Sequence, residues 1–97
     1  ENLSVEVEER PSAEVLERLG VQARSLLGLY QGVPLPKRTV WWNPTGPDRI
    51  ILYRANILAQ TRGPEEIQAL VQEVVKHEIG HYFGLSEEEL RRAQQTQ

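Results

Sequence analysis

The chain has 97 residues, 39% of them hydrophobic, and a net charge of −3, which suits one small globular domain with a modest core. It contains no cysteine, which excludes a disulfide framework and a thiolate metal site. It shows no basic run, no apolar stretch of membrane-spanning length and no signal-peptide core, so we expect no nucleic-acid partner, no membrane partner and a cytoplasmic location. We expect residues 1–97 to form a single domain, and because methionine is also absent, we expect its N-terminus to be incomplete.

The first predicted elements are a strand and a helix. Apolar and polar residues alternate over LSVEVEE, residues 3–9, which is typical of a strand with one buried face. Ser12 is a suitable N-cap for a following helix, whose apolar residues keep helical spacing as far as Leu27. Gly20 interrupts this pattern, and Gly28 predicts the end of the helix.

The middle of the chain is predicted to form a loop, a strand, a turn and a further strand. The loop is YQGVPLPK, residues 30–37, the second strand is RTVWW, residues 38–42, and the turn is NPTGP, residues 43–47. The segment DRIILYR, residues 48–54, predicts a third strand. Its run Ile50–Tyr53 is apolar on both faces, which indicates an inner strand, or one whose second face is covered by missing chain or by a second subunit of a homodimer.

A loop through Gly63 precedes the longest predicted helix. Pro64 suits its first turn, an apolar stripe follows at helical spacing, and Gly84 predicts its end. Ser86 and Glu89 have the spacing of a capping box for a short last helix. The order strand, helix, strand, strand, helix, helix predicts an α+β fold, in which a small mixed sheet is combined with a backing helix, a long helix and a short C-terminal helix.

The long helix carries the only two histidines of the chain, His77 and His81, with Glu78 directly after the first. Histidines four residues apart lie on one edge of a helix, so both imidazoles can bind one zinc ion. Zinc lowers the pKa of a bound water from 15.7 towards roughly 7, and Glu78 can accept the proton as the water attacks a carbonyl. The alternative is two histidines hydrogen-bonded at the edge of the core and Glu78 paired with an arginine. A core-facing glutamate without a partner is costly, which favours the zinc site.

A third protein ligand is still needed, and the carboxylates close by are Glu87, Glu88 and Glu89. Gly84 allows the chain to reverse, and Glu87 is then the first carboxylate able to face back towards the imidazoles. Glu89 has a competing role in the capping box. The pattern H-E-x-x-H-x-x-G-x-x-E therefore predicts Glu87 as a metal ligand. The alternative is that Glu87 only stabilises the first turn of the last helix through the helix dipole.

These motifs carry a family resemblance. The segment HEIGHYFGLSE, preceded by GLYQGVPL and PDRIILYR, resembles the minimal zincin-like metallopeptidase family, whose members are small bacterial proteins with little more than the catalytic half of a zincin. The resemblance covers most of residues 3–90. It implies a zincin-type α+β fold, a zinc ion on His77 and His81, and Glu78 as the catalytic base. In this family the position of Glu87 is often aspartate, and the methionine turn of true metzincins has no counterpart in this chain.

We therefore expect a zinc-dependent peptidase that acts on a peptide or protein substrate. The alternatives are a zinc-binding interaction module on the same scaffold, in which Glu78 matters only for folding, and a metal-free structural domain. In zincins an edge strand binds extended substrate by backbone pairing, and the strand Arg49–Arg54 is the candidate here, although its two-sided apolar pattern favours an inner position. Glu73, one turn before His77, is in reach of the second nitrogen of that histidine, but we expect it to face solvent.

Overall fold

The computed structural model of the protein describes residues 3–32 and 48–95. In this part of the chain a three-stranded sheet is combined with four α-helices, so the predicted α+β fold with a mixed sheet is confirmed. The strands are β1 (Leu3–Glu8), β2 (Gly28–Gln31) and β3 (Asp48–Tyr53), and the helices are α1 (Ala13–Leu19), α2 (Arg54–Ala59), α3 (Pro64–Tyr82) and α4 (Glu87–Gln95), with a short 3-10 turn at Ala23–Ser25. The strand and turn predicted over residues 38–47 lie outside the described residues.

The strand β3 lies between β1 and β2 in the sheet. Its pairing with β1 is parallel, with Ile50 opposite Val5, and its pairing with β2 is antiparallel, with Ile50 opposite Tyr30. Ile50 and Ile51, whose side chains point to opposite faces of the sheet, are 0% and 2% exposed. The apolar run is therefore buried on both faces of the sheet, and the predicted inner strand is confirmed.

The helix predicted over residues 12–28 is wrong in its second half. Ser12 does cap α1, because its side-chain oxygen accepts a hydrogen bond from the backbone N–H of Val15 at 3.2 Å. The helix ends after Leu19, where Gly20 adopts a left-handed conformation with φ 68°. Glycine takes this conformation without strain and so ends helices. The chain then forms the 3-10 turn and enters β2, which replaces the end of the predicted helix and the start of the predicted loop.

The helix α2 follows β3 without a break, in a segment predicted to be a loop. Its N-cap position, Tyr53, makes no side-chain capping bond, so the usual start signal is missing. Tertiary contacts hold the helix instead. Ile57 is 4% exposed, and the side-chain amide of Asn56 donates hydrogen bonds to Ala23 O and Leu26 O, both at 2.7 Å. These bonds connect α2 to the 3-10 turn.

The long helix α3 packs against one face of the sheet and begins at Pro64, as predicted. Its buried Val74 joins a core cluster with Ile50 and Leu52 of β3. The helix also lies very close to β2, because a Cβ atom at Gly28 would come within 2.5 Å of the Val74 side chain. Glycine at this position brings the strand against the helix that carries the histidines. Neither α3 nor another helix in the described ranges is long and apolar enough to cross a membrane.

The last helix, α4, begins after the chain reverses at Gly84, where φ is 90°. The predicted capping box is present: the N–H of Ser86 donates to Glu89 Oε1 at 2.8 Å, and the N–H of Glu89 donates to Ser86 Oγ at 3.1 Å. Hydrogen bonds from the backbone and side chain of Ser86 lower the pKa of Glu89. Buried Leu90 fills the space beside Gly80 of α3, where a Cβ atom would overlap its side chain. This contact docks α4 on the end of α3.

Candidate metal centre

The last turns of α3 place three side chains with metal-binding atoms close together. A ligand atom from each of His77, Glu78 and His81 lies within 4.8 Å of the other two, and the two imidazole centroids are 5.0 Å apart. The helix backbone fixes this spacing, so the sequence pattern is converted directly into geometry. The histidine side chains are 27% and 22% exposed, whereas Glu78 is buried at 8%.

The first turn of α4 brings Glu87 to the same place. Its Oε1 lies 2.9 Å from His77 Nε2, and its Oε2 lies 2.7 Å from His81 Nε2. The reversal before α4 produces this contact, because the N–H groups of Gly84 and Leu85 donate back to carbonyl groups of α3 at 2.8 and 2.9 Å. All four residues predicted for the site are therefore brought together.

The neighbouring carboxylates have other partners. Glu88 lies within ion-pair distance of Arg91 and Arg92, at 3.3 and 3.5 Å. Glu89 accepts the capping hydrogen bond described above. Of the three successive glutamates that the sequence offered, Glu87 is the one in contact with both imidazoles.

A cleft of about 910 Å³ extends from these residues. The strand β2 lines one side of it, so close to α3 that a Cβ atom at Gly28 would lie 3.6 Å from Glu78 Cγ. The sequence prediction missed β2, because the glycine and prolines that follow it favour a loop. The apolar run Leu26–Tyr30 was the available signal for a strand.

The other lining residues of the cleft are mostly apolar. They include Leu19, Val21, Leu26 and Leu70. Glu73 also lines the cleft and is exposed. In the described part of the chain it makes no hydrogen bond to His77, so the structure gives no support for an orienting role towards that histidine.

Tyr30 of β2 contacts both α3 and β3. Its ring packs edge-to-face on Tyr82 of α3, with centroids 5.9 Å apart, and its hydroxyl donates to Asp48 Oδ2 at 3.0 Å. Asp48 is 5% exposed, and a Cβ atom at Gly32 would overlap its carboxylate. The end of β2 and the beginning of β3 are therefore packed tightly beside the candidate site.

The sequence profile of the zincin-like metallopeptidase family matches residues 1–96. The chain belongs to this family. The resemblance inferred from the motifs is thereby confirmed, and it agrees with the α+β fold and with a His-Glu-His group able to hold a metal ion. Comparison with curated proteins finds no match.

In this zincin-like protein a backbone carbonyl determines the tautomer of one histidine. His81 Nδ1 lies 2.9 Å from Leu85 O, and a carbonyl oxygen only accepts, so Nδ1 carries the hydrogen. The other ring nitrogen, Nε2, lies 2.7 Å from the Glu87 carboxylate. The contact with Leu85 therefore orients the ring so that Nε2 faces Glu87, as backbone carbonyls do for histidines that bind metals.

The pKa values of the two carboxylates at the centre are shifted in opposite directions. Burial raises the pKa of Glu78, and it outweighs the lowering by His81, by His77 and by the backbone N–H of Tyr30. Burial also acts to raise the pKa of Glu87, but hydrogen bonds and charges from His81 and His77 outweigh it, and the net shift is downward. One carboxylate is therefore biased to bind a proton and the other to stay ionised, a pairing typical of functional sites.

Proposed function

We propose that the protein is a zinc-dependent peptidase in which His77, His81 and Glu87 hold the metal and Glu78 is the general base. One observation carries the proposal. The Nε2 atoms of both imidazoles converge on the Glu87 carboxylate, at 2.9 and 2.7 Å, beside a buried Glu78. Membership of the zincin-like metallopeptidase family supports the same chemistry.

The donor set suits zinc. Imidazole nitrogen and carboxylate oxygen are usual zinc ligands, and three protein ligands leave a fourth position open in catalytic sites. When bound, zinc acts as a Lewis acid, which polarises a carbonyl group and makes water nucleophilic near neutral pH. The Leu85 carbonyl holds the His81 ring through Nδ1. This contact keeps Nε2 directed at the place where His77, His81 and Glu87 would bind the metal.

Glu78 is the residue to which we assign proton transfer. Its carboxylate lies among the donor atoms of the two histidines, where it is in reach of a water that attacks a bound carbonyl. It accepts the proton of that water and passes it to the leaving amine. Burial raises its pKa, which makes it a stronger base than a solvated carboxylate, as general-base catalysis near neutral pH requires.

We further propose that β2 binds the substrate, a peptide or protein in extended form. In the described sheet β2 is an edge strand, and it lines the cleft together with Glu78. Backbone groups on an edge strand pair with an extended peptide. The sequence made β3 the candidate for substrate binding. Because β3 is the inner strand, we assign substrate binding to β2 instead.

The test compares wild type with Glu78→Gln, after both proteins have been loaded with zinc. Bound metal is measured by elemental analysis, and hydrolysis is measured on a mixed peptide library. We expect about one zinc per chain in both proteins. We also expect the variant to lose hydrolysis by about 100- to 10,000-fold, because the amide keeps the shape but cannot accept a proton.

Two outcomes would contradict the mechanism. Equal turnover of a verified substrate by both proteins would exclude Glu78 as the base. Zinc binding by wild type with no cleavage anywhere in the library would favour a zinc-binding interaction module on the same scaffold.

A further inference from the structure

Glu73 is a carboxylate in the cleft with no role in the mechanism above. It lies on α3 four residues before His77, it lines the cleft, and it is exposed. In the described part of the chain, no hydrogen bond or ion pair involves its carboxylate, although Lys76 is close in sequence. It is therefore available to bind a group that enters the cleft.

The charge of the cleft favours a cation at this position. The described lining residues include Glu73, Glu78 and Glu87, and they include no lysine or arginine. A zinc ion carries two positive charges, which the ionised Glu78 and Glu87 balance. The charge of Glu73 is then left uncompensated, so an incoming cationic group is attracted to it and an anionic group is repelled.

The distance along α3 relates Glu73 to the candidate reaction centre. A separation of four residues corresponds to about 6 Å along a helix axis, and an extended peptide advances by about 3.3 Å per residue. For a substrate that runs along α3 with its cleaved bond beside His77, a group that contacts Glu73 belongs to a residue about one or two positions from that bond. The apolar side chains of Leu70 and Val21, which line the same cleft, suit the methylene stem of a long side chain.

We propose that Glu73 is a specificity residue that pairs with a cationic group of the substrate, either a free N-terminal ammonium or a lysine or arginine side chain. This inference rests on the proposed peptidase function. Both groups present a positive charge to a carboxylate. Pairs of peptides that differ in only one of these groups show which one Glu73 recognises.

The experiment measures kcat/KM of the zinc-loaded protein on peptides that differ in one charge. One pair has a free or an acetylated N-terminus, and the other pair has lysine or norleucine near the cleaved bond. We expect wild type to prefer the charged member of one pair by about two- to fivefold, the range of an exposed ion pair, and less at high salt. Glu73→Gln should lose this preference. Glu65→Gln, on the same helix but outside the cleft lining, should keep it.

Each further outcome tests either the inference or the proposed function. Cleavage by wild type with no preference in either pair, or with a preference that Glu73→Gln retains, overturns the role of Glu73 and leaves the peptidase function standing. Absence of cleavage contradicts the peptidase function instead. A second measurement then tests Glu73 by itself: the same peptides are titrated onto zinc-loaded Glu78→Gln protein. Tighter binding of the charged peptide that disappears in the Glu73→Gln, Glu78→Gln double variant supports the inference, and equal binding of both members of each pair overturns it.

Discussion

Residues 64–95 and residues 12–31 both border the cleft, but their structures depend on contacts of different range. In residues 64–95 the start and end of α3 and the start of α4 have local signals, which are Pro64, the left-handed Gly84 and the Ser86 capping box. In residues 12–31, only the start and end of α1 are local, and β2 forms by pairing with β3, which comes much later in the chain. The proposed metal ligands are thus placed by short-range contacts, and the wall of the cleft is placed by long-range contacts.

The largest expected effect tests the short-range half of this comparison. Replacing His77, His81 or Glu87 by alanine should weaken zinc binding by more than about 100-fold, beyond the loss expected when only an outer-shell partner of a ligand is removed. Glu88→Ala is the matched control, because that side chain pairs with arginines of α4, and its affinity should match wild type. Competition titration against a chelator gives the affinities.

Glu87→Ala is the decisive variant of this set. Full zinc affinity in Glu87→Ala would show that the fold brings this carboxylate to the histidines without using it as a ligand. Equal losses in Glu87→Ala and Glu88→Ala would point to general damage to α4.

A smaller effect tests the other half of the comparison, the long-range contacts of β2. Gly28→Ala should destabilise the metal-free protein by about 1–3 kcal/mol, because the added methyl group meets the Val74 side chain and the backbone carbonyl of Ile51, and overpacking of a dense core has this cost. Gly63→Ala adds the same atom where nothing lies within 4 Å. Urea unfolding measures both variants. Similar stabilities for Gly28→Ala and Gly63→Ala would mean that β2 and α3 can move apart at little cost. The tight packing of Gly28 against Val74 would then not stabilise the wall of the cleft.

The smallest effect concerns acid stability, and its sign differs between the two carboxylates. The raised pKa of Glu78 means that its contribution to stability is present below its unfolded pKa and is lost as the pH rises through its folded pKa. The lowered pKa of Glu87 means that its contribution is present above its unfolded pKa and is lost as the pH falls through its folded pKa.

Metal-free protein tests these signs between about pH 3.5 and 5.5, below the histidine range. As the pH rises through this interval, Glu78→Gln should gain stability relative to wild type, and Glu87→Gln should lose it. Chemical unfolding at several pH values provides the comparison. Parallel curves for both variants would show that the two environments do not differ as described.

The limits of sequence-based prediction follow from the same physics. His77, Glu78, His81 and Glu87 lie within eleven residues, so helical spacing and one turn at Gly84 were enough to predict that they meet. The helix α2 gave no such signal, because its stability comes from Asn56 bonds to a turn about thirty residues earlier. The strand β2 had a local signal in the apolar run Leu26–Tyr30, but no local pattern predicts its pairing with β3.

The hydrogen bond from His81 Nδ1 to the carbonyl of Leu85 has a thermodynamic consequence. The same turn that supplies this carbonyl also carries Glu87 to the imidazoles and seats Leu90 against α3. We therefore expect docking of the C-terminal helix to be coupled to the approach of Glu87 to the two histidines. Free energy gained by a cation at the cluster is shared by the whole C-terminal segment, so removal of the cation should increase amide hydrogen exchange in α4 before it affects the sheet.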